Sequence, residues 1–238
     1  RGLHEENKLL PPRLVAQYLW QLLNRIDPKT FSRTNWDLLQ IIDEAPLNPI
    51  DTNKTISTKP TESDLLSLRN KLSGSVWDVG STGYSARRHV FNRAISHFPY
   101  AIVVPESDVD IINTIDYANR LNLQISVKGG GHGVTGAAVI DGGIVLDMSA
   151  FQSIELCAVG QSVRVGAGVK NHNLDLFLSK YKKVIPLGTC PDVGVVGATL
   201  GGGIGFLSRK HGLSCDNVLA FNLIPADGQQ RVINTLEH

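Results

Sequence analysis

The sequence predicts an α+β fold, and three observations lead to this prediction. From about residue 98 onward, short segments rich in Val and Ile are divided by glycines, as strands and turns are. Segments with helical periodicity lie between these predicted strands. Glycine is concentrated in the same part of the chain, because 18 of the 23 glycines lie between Gly129 and Gly212. Glycine is costly in regular structure, so the cluster indicates positive φ angles or close approach of the main chain to a bound group.

Length and composition limit the classes of protein to consider. The 238 residues are enough for one large domain with a buried core. The formal net charge is +1, 42% of the residues are hydrophobic, and no long uncharged apolar segment could span a bilayer. Neither nucleic acid nor a membrane is therefore expected as a partner. The first thirty residues lack the order of a secretory signal, and the sequence indicates neither a compartment nor an oligomeric state.

The three cysteines, Cys157, Cys190 and Cys215, are widely spaced and odd in number. This spacing is neither that of a disulfide framework nor that of a zinc signature, so no metal site is expected. Each cysteine has to be interpreted from its neighbours.

Residues 1–84 are predicted to form a helical N-terminal segment. Apolar residues at i, i+3 and i+4 predict a helix over residues 12–26, and a second helix is predicted over 36–42. A loop at 46–60 precedes a third helix, which opens at Thr61 and Asp64 with the spacing of a capping box. A packing role is favoured for this segment over a chemical one.

Residues 85–238 contain the predicted strands. A helix with a capping box at Ser107 and Asp110 lies between the first two strands and suggests a βαβ-like unit. A second helix is predicted over 171–183, with lysines near its end, where they complement the helix dipole. The predicted strands cover residues 100–104, 123–127, 143–147, 162–165 and 218–224.

The first glycine-rich loop directly follows a predicted strand and runs from Lys128 through three glycines to His132 and Gly133. Successive side-chain-free peptide groups can turn their N–H groups toward a phosphate while Lys128 supplies positive charge, so diphosphate binding is one interpretation. The Gly-Lys-Ser/Thr of a P-loop and a Gly-x-Gly-x-x-Gly that opens a helix are both missing. A plain glycine turn with an exposed histidine is the alternative.

The second glycine-rich loop runs from Cys190 to Phe206. Val, Leu and Ile are interleaved with its glycines, which indicates buried backbone and excludes a flexible Gly/Ser linker. The loop either passes close to a flat or bulky ligand or makes a tight packing contact with a helix. The residues of this loop alone favour neither interpretation.

Taken together and in this order, the two loops resemble the FAD-binding domain of the vanillyl-alcohol oxidase and p-cresol methylhydroxylase (PCMH) superfamily, in particular its berberine-bridge-enzyme-like and 6-hydroxynicotine-oxidase-like branch. The resemblance spans roughly residues 85–230. The matching segments are Phe91-Asn92, 99–105, Ser126-Val127-Lys128-Gly129-Gly130-Gly131-His132, 141–148, Gly188-Thr189-Cys190-Pro191-Asp192-Val193-Gly194, 201–213 and Asp216-Asn217. It implies a PCMH-type domain of two α/β subdomains, here truncated and preceded by the helical N-terminal segment.

The resemblance also implies FAD as the cofactor, held covalently. His132 occupies the position of the histidine that is joined to the 8α-methyl group of the flavin, and a neutral imidazole is a competent nucleophile toward an electrophilic form of the ring. Cys190 occupies the position of the cysteine that bicovalent members attach to flavin carbon 6. A buried thiol without function is the alternative for Cys190, and Cys157 and Cys215 are expected to be structural. The further cofactor contacts implied by the resemblance are Lys128, Gly129, Gly130, Gly131, Gly133, Val193, Gly194, Thr199, Gly201, Gly202, Gly203, Gly205 and Ile224.

The function implied by the resemblance is that of an FAD-dependent oxidase. Hydride would pass from the C–H bond of a small-molecule alcohol or amine to flavin N5 and on to dioxygen, with the protein positioning and tuning the cofactor. Enzymes of the family continue well beyond the position of Ala226-Asp227-Gly228 into a separate substrate domain, so this chain is expected to be incomplete and no catalytic acid or base is assigned. The alternatives are a catalytically incomplete flavin-binding or interaction module and a noncovalent flavin dehydrogenase. Arg209 and Lys210 either face the cofactor diphosphate or are solvated, and the cluster Arg87-Arg88-His89 is expected at the surface.

Overall fold

A computed structural model describes residues 61–157 and 160–234. The helices predicted over 12–26 and 36–42 and the loop at 46–60 lie outside these residues. The helices are α1 (Glu62–Arg69), α2 (Tyr84–Arg87), α3 (Asp108–Leu121), α4 (Asn171–Ser179), α5 (Val195–Leu200) and α6 (Ser208–His211), with 3-10 turns at Met148–Ala150 and Cys215–Asn217. The strands are β1 (Ser75–Trp77), β2 (Ala101–Val104), β3 (Ile125–Lys128), β4 (Ile144–Asp147), β5 (Ile154–Leu156), β6 (Val163–Val165), β7 (Ala220–Leu223) and β8 (Arg231–Asn234).

The main sheet has four strands in the order β1-β2-β4-β3. β4 pairs in parallel with both β2 and β3, and β1 pairs antiparallel with β2 at the edge. The predicted strand-helix-strand unit is therefore present as β2-α3-β3, but β4 lies between its two strands. β2 and β4 are buried along their whole length, as strands covered on both faces are.

The sheet separates two apolar clusters. Ala101 and Val103 of β2 face the cluster that contains α1 and α3, whereas Ile102 between them faces the cluster of Tyr84 and Val90. This alternation follows from the two-residue repeat of a strand. Leu65 and Leu68 of α1 belong to the first cluster. Residues 62–77 therefore fold with the sheet, although the predicted division of the chain places them in the N-terminal segment.

The N-terminus of α3 differs in one detail from the predicted capping box. The Ser107 hydroxyl accepts a hydrogen bond from the Asp110 N–H as expected. The Asp110 carboxylate, however, accepts from the N–H of Glu106 instead of that of Ser107, and also from the N–H groups of Ser73 and Gly74. The carboxylate thus ties the loop before β1 to α3 instead of closing the box.

A third apolar cluster lies around α4, where Leu174 and Leu178 pack with Val169, Leu187 and Val195 against the β5-β6 hairpin. α4 ends at Ser179 instead of Lys183, and Lys182 after it takes a positive φ of 54°. β7 and β8 form a separate antiparallel hairpin. None of the helices described in residues 61–157 and 160–234 has the length and apolar character that a membrane span requires.

Candidate functional site

The two predicted attachment residues, His132 and Cys190, line the same cavity. Its volume is about 330 Å³, which is at the lower end of the roughly 300–1,000 Å³ typical of ligand pockets. Four segments of the chain form it: residues 86–93, the first glycine-rich loop, Lys170 just before α4, and the beginning of the second glycine-rich loop. The lining residues are Ala86, His89, Val90, Phe91, Arg93, Gly130, His132, Lys170, Cys190 and Asp192.

Phe91 orients the side chain of His132. The two rings stack with centroids 4.4 Å apart and an interplanar angle of 19°. The Phe91 N–H also donates to the carbonyl of Gly131 at 2.9 Å, so the backbone and the side chain of Phe91 both contact the loop. Gly131 has a φ of 71°, which favours glycine. His132 is therefore presented from a turn whose geometry is fixed from outside the loop.

The start of α4 holds the segment that carries Cys190. The Asn171 side chain donates to the carbonyl of Cys190 at 3.0 Å, and the Asn171 N–H donates to the carbonyl of Val193 at 3.0 Å. The His172 N–H donates to the carbonyl of Pro191 at 3.0 Å. The Cys190 side chain is exposed. The alternative interpretation, in which Cys190 is a buried thiol, does not agree with this exposure. The contacts with α4 occupy the backbone of the segment and leave the thiol at the cavity.

The two glycine-rich loops meet backbone to backbone at Gly130 and Gly194. A Cβ on Gly130 would collide with the main-chain nitrogen of Gly194, and a Cβ on Gly194 would lie 2.6 Å from the main-chain nitrogen of Gly130. Any side chain at either position would push the loops apart. The absence of side chains at these two residues is what allows His132 and Cys190 to share one cavity.

The other glycines of the predicted site differ in how closely other atoms surround them. Gly203 and Gly205 approach other parts of the protein, because a Cβ would collide with the Ser214 side chain and the Leu187 carbonyl, respectively. At Gly133, in contrast, nothing lies within 4 Å of an added Cβ. A Cβ added to Gly129 would lie 3.2 Å from its nearest neighbouring atom, and one added to Gly201 would lie 3.5 Å from its nearest. Gly202 has a φ of 104°.

Lys128 is engaged within the protein. Its ammonium donates to the carbonyl of Arg87 at 2.6 Å and to the carboxylate of Asp147 at 3.2 Å. The side chains of Lys128 and Asp147 are only 13% and 5% exposed, and the two residues are paired at the ends of β3 and β4. Asp147 therefore balances the charge of Lys128, and the contact of Lys128 with a diphosphate stays a prediction.

Three more of the predicted cofactor contacts have packing roles. The Thr199 hydroxyl donates to the carbonyl of Val195 within α5 at 2.8 Å. The Val193 carbonyl accepts from Asn171, and Ile224 packs against the cluster of α1 and α3. Their contact with a cofactor likewise stays a prediction.

Several residues at the cavity were not predicted from the sequence. His89 lines it and is exposed, as expected for this member of the cluster Arg87-Arg88-His89. Desolvation by neighbouring residues lowers the pKa of the exposed His89, and the positive charges of Arg93 and Arg88 act in the same direction. Lys170 and Asp192 form an ion pair of 3.3 Å at the cavity. No periodicity or motif singles out Lys170 or Asn171 in the sequence.

The two arginines of that cluster are half-buried, not free at the surface. The Arg87 guanidinium lies 4.5 Å from the ring centroid of Trp77, and that of Arg88 lies 4.1 Å from that of Phe98. Arg209 and Lys210 are exposed on α6. Cys157 is exposed, and burial raises the pKa of the Cys215 thiol. In the part of the chain that the structure describes, no group of His, Cys, Asp and Glu side chains could hold a metal ion.

Comparison with known proteins identifies relatives of this chain. (R)-6-hydroxynicotine oxidase of Paenarthrobacter nicotinovorans is 35% identical over 157 residues, which are 66% of this chain and 34% of the relative. Berberine bridge enzyme-like 23 of Arabidopsis thaliana is 35% identical over 139 residues, 56% of this chain and 26% of the relative. The chain thus spans about one third or less of these curated relatives.

One solved structure with the same fold is described together with the linkage of its own flavin. Glucooligosaccharide oxidase from Acremonium strictum, described with a 6-S-cysteinyl, 8α-N1-histidyl FAD, superposes with a TM-score of 0.69 at 26% identity, covering 74% of this chain and 37% of that one. The sequence profile of the FAD binding domain matches residues 99–234, which are more than half of the chain. The chain therefore belongs to the family of PCMH-type FAD-binding domains found in FAD-linked oxidoreductases.

Proposed function

We propose that this chain is the flavin-holding part of an FAD-linked oxidase and that it binds FAD covalently through His132 and Cys190. The observation that carries the proposal is the cavity that both side chains line, about 330 Å³ in volume. A space of this size can take one flat ring system. The residues present therefore fit the flavin ring at this point, between an imidazole and a thiol.

The two side chains suit their proposed roles chemically. A neutral imidazole can act as a nucleophile near neutral pH, and the stacked Phe91 ring restricts the orientation of His132 before any bond forms. A thiol reacts as its thiolate, and the exposed Cys190 side chain is accessible at the cavity. When bound, FAD supplies the hydride-accepting ring of the reaction.

The proposed donor is the C–H bond of a small-molecule alcohol or amine, and the proposed acceptor is dioxygen. The names of the relatives support these two classes, since one relative is a 6-hydroxynicotine oxidase and another is a glucooligosaccharide oxidase. The chain spans about one third of both proteins. The substrate and its catalytic base are therefore not assigned to the residues described above.

The test is to denature the purified chain and to ask whether flavin migrates with the polypeptide. We expect covalent flavin in the wild type, with peptide mass spectrometry placing it on His132 and on Cys190. His132→Ala should lose the histidyl bond, and Cys190→Ala should keep that bond while its absorption spectrum changes. Cys157→Ser is the matched control, because Cys157 is also exposed but does not line the cavity. Flavin released in free form from denatured wild type would contradict the proposal and favour a noncovalent dehydrogenase.

A further inference from the structure

Asn171 is a polar residue buried inside the apolar cluster around α4. It is 1% exposed and is followed on the same helix by the buried residues Leu174 and Leu178. An amide buried among apolar side chains is unfavourable unless it is hydrogen-bonded. Its Nδ2 donates to the carbonyls of Gly188 and Cys190 at 3.3 and 3.0 Å, while its Oδ1 has no hydrogen-bond partner among the described residues. An apolar side chain of similar size would fill this space without an unpaired oxygen, so packing alone does not account for an amide here.

Both acceptors of the amide belong to the segment that carries the Cys190 thiol. Main-chain bonds from α4 hold the residues that follow Cys190, because the carbonyls of Pro191 and Val193 accept from the N–H groups of His172 and Asn171. From α4, the Asn171 side chain reaches the carbonyl of Cys190 itself. The amide therefore acts at the residue whose backbone sets the direction of the thiol.

We propose that Asn171 is a positioning residue that holds the Cys190 segment so that its thiol faces the cavity of His132. The inference rests on the proposed function for the attachment step but concerns a residue that neither glycine-rich loop contains. Gly130 and Gly194 bring the two loops into contact, and Asn171 fixes the second loop from its other side. Without the amide, the Cys190 carbonyl would keep only the weak turn contact from the Val193 N–H at 3.4 Å.

The attachment that Asn171 prepares is an oxidative bond formation. A bond forms between Cys190 Sγ and flavin carbon 6, and the S–H and C6–H bonds break. The two hydrogens leave as protons and two electrons pass through the flavin to dioxygen, which is reduced to hydrogen peroxide. Asn171 takes no part in the electron transfer and contributes only the position of Sγ.

The main experiment compares Asn171→Leu with Asn173→Leu in the full chain. The two positions lie on the same helix, but Asn173 is exposed, so the same substitution is made with and without loss of the buried amide. Peptide mass spectrometry measures flavin on Cys190 and on His132 separately. In Asn171→Leu we expect the rate of flavin attachment at Cys190 to fall about tenfold, as the loss of two ordinary hydrogen bonds implies, with His132 unaffected. Wild-type attachment at Cys190 in Asn171→Leu would overturn the inference.

A second measurement separates this inference from the proposed function, because it needs no flavin. Amide hydrogen exchange in apoprotein reports the Val193 and Val195 N–H groups, which are bonded to the Cys190 and Val169 carbonyls. Asn171→Leu should accelerate exchange of the Val193 amide measurably relative to Asn173→Leu, with β4 unchanged. If wild type carries no flavin on Cys190, the second bond of the proposed function fails, while accelerated exchange still supports the positioning role. Unchanged exchange overturns it. Should Asn171→Leu not fold, Asn171→Ser, which keeps one donor, is measured against the same criteria with a smaller expected acceleration.

Discussion

At the scale of single residues, the glycines of the two loops separate into those that the protein needs for its own packing and those that border open space. Gly130 and Gly194 belong to the first group, since each excludes a side chain through contact with the other. Gly133, next to His132, belongs to the second, and its φ is not in the left-handed region. A glycine in open space beside the proposed attachment residue is explained if a bound group passes close to its backbone.

This distinction predicts opposite effects for two alanine substitutions. Gly130→Ala should lower the free energy of unfolding by about 1–3 kcal/mol, because it overpacks the contact between the loops. Gly133→Ala should change that free energy by less than about 0.5 kcal/mol but reduce the flavin content of the purified chain severalfold. Urea unfolding of the apoprotein and the ratio of flavin to protein absorbance measure the two effects. Wild-type flavin content in Gly133→Ala would show that the space beside this residue is not used by the cofactor.

His132 and Cys190 could be predicted from the sequence because each lies in a short contiguous segment that resembles a family segment. Phe91 and Asn171 could not be assigned their roles in the same way. Their contacts with the site cross 41 positions to His132 (132 − 91) and 19 positions to Cys190 (190 − 171). Such contacts follow from the packing of separate elements and leave no local pattern in the sequence.

At the scale of elements, the strands were predicted to within two residues at each end where composition was decisive. β2 and β4 are continuous apolar segments. The sequence predicts them at 100–104 and 143–147, and the structure has them at Ala101–Val104 and Ile144–Asp147. β1, β5 and β8 were not predicted as strands. β1 has only three residues and is defined by its antiparallel pairing with β2, not by a pattern of its own. The position of β4 between β2 and β3 likewise depends on contacts between distant segments, and the periodicity of the sequence does not predict it.

The Lys128–Asp147 ion pair joins the ends of β3 and β4. We therefore expect the stability of the fold to depend on this pair. Lys128→Met should destabilise the fold by about 3–5 kcal/mol, because it leaves a buried carboxylate without its cation. Lys170→Met is the matched control. Its ion pair with Asp192 is half-exposed, so the loss should stay below about 1 kcal/mol. Chemical denaturation of both variants measures the difference.

A double substitution checks the cause of this loss. If the uncompensated carboxylate is responsible, Asp147→Asn in the Lys128→Met background should recover part of the stability. Simple additivity of the two single effects would instead attribute the loss to the packing of the Lys128 alkyl chain.

At the scale of the whole molecule, the ionisable groups in and around the core indicate the pH range in which the fold is stable. Burial would raise the pKa of Asp110, but hydrogen bonds from the Glu106, Ser73 and Gly74 N–H groups outweigh it and lower the pKa below its ordinary value. Burial raises the pKa of Tyr84 and of Tyr117. A lowered carboxyl pKa makes the fold less stable in acid, and a raised phenol pKa makes it less stable in strong base. Stability should therefore decline below about pH 4 and above about pH 10, near the ordinary pKa values of Asp and Tyr.

Asp110 provides the sharpest test of the acid side of this range, because its carboxylate joins the loop before β1 to α3. Its stabilising contribution is present above the pKa of an unfolded Asp, about 3.9, and is lost as the pH falls through the lower pKa of the folded state. At pH 7, Asp110→Asn should lower the free energy of unfolding by about 2 kcal/mol, since hydrogen bonds to a charged group are replaced by fewer, neutral ones. The difference from wild type should shrink as the pH approaches 3. Asp116→Asn, on the exposed side of the same helix, is the control, and urea unfolding from pH 7 to pH 3 is the measurement. If the difference between Asp110→Asn and wild type stays constant over this range, the contribution of Asp110 to stability does not depend on the charge of its carboxylate.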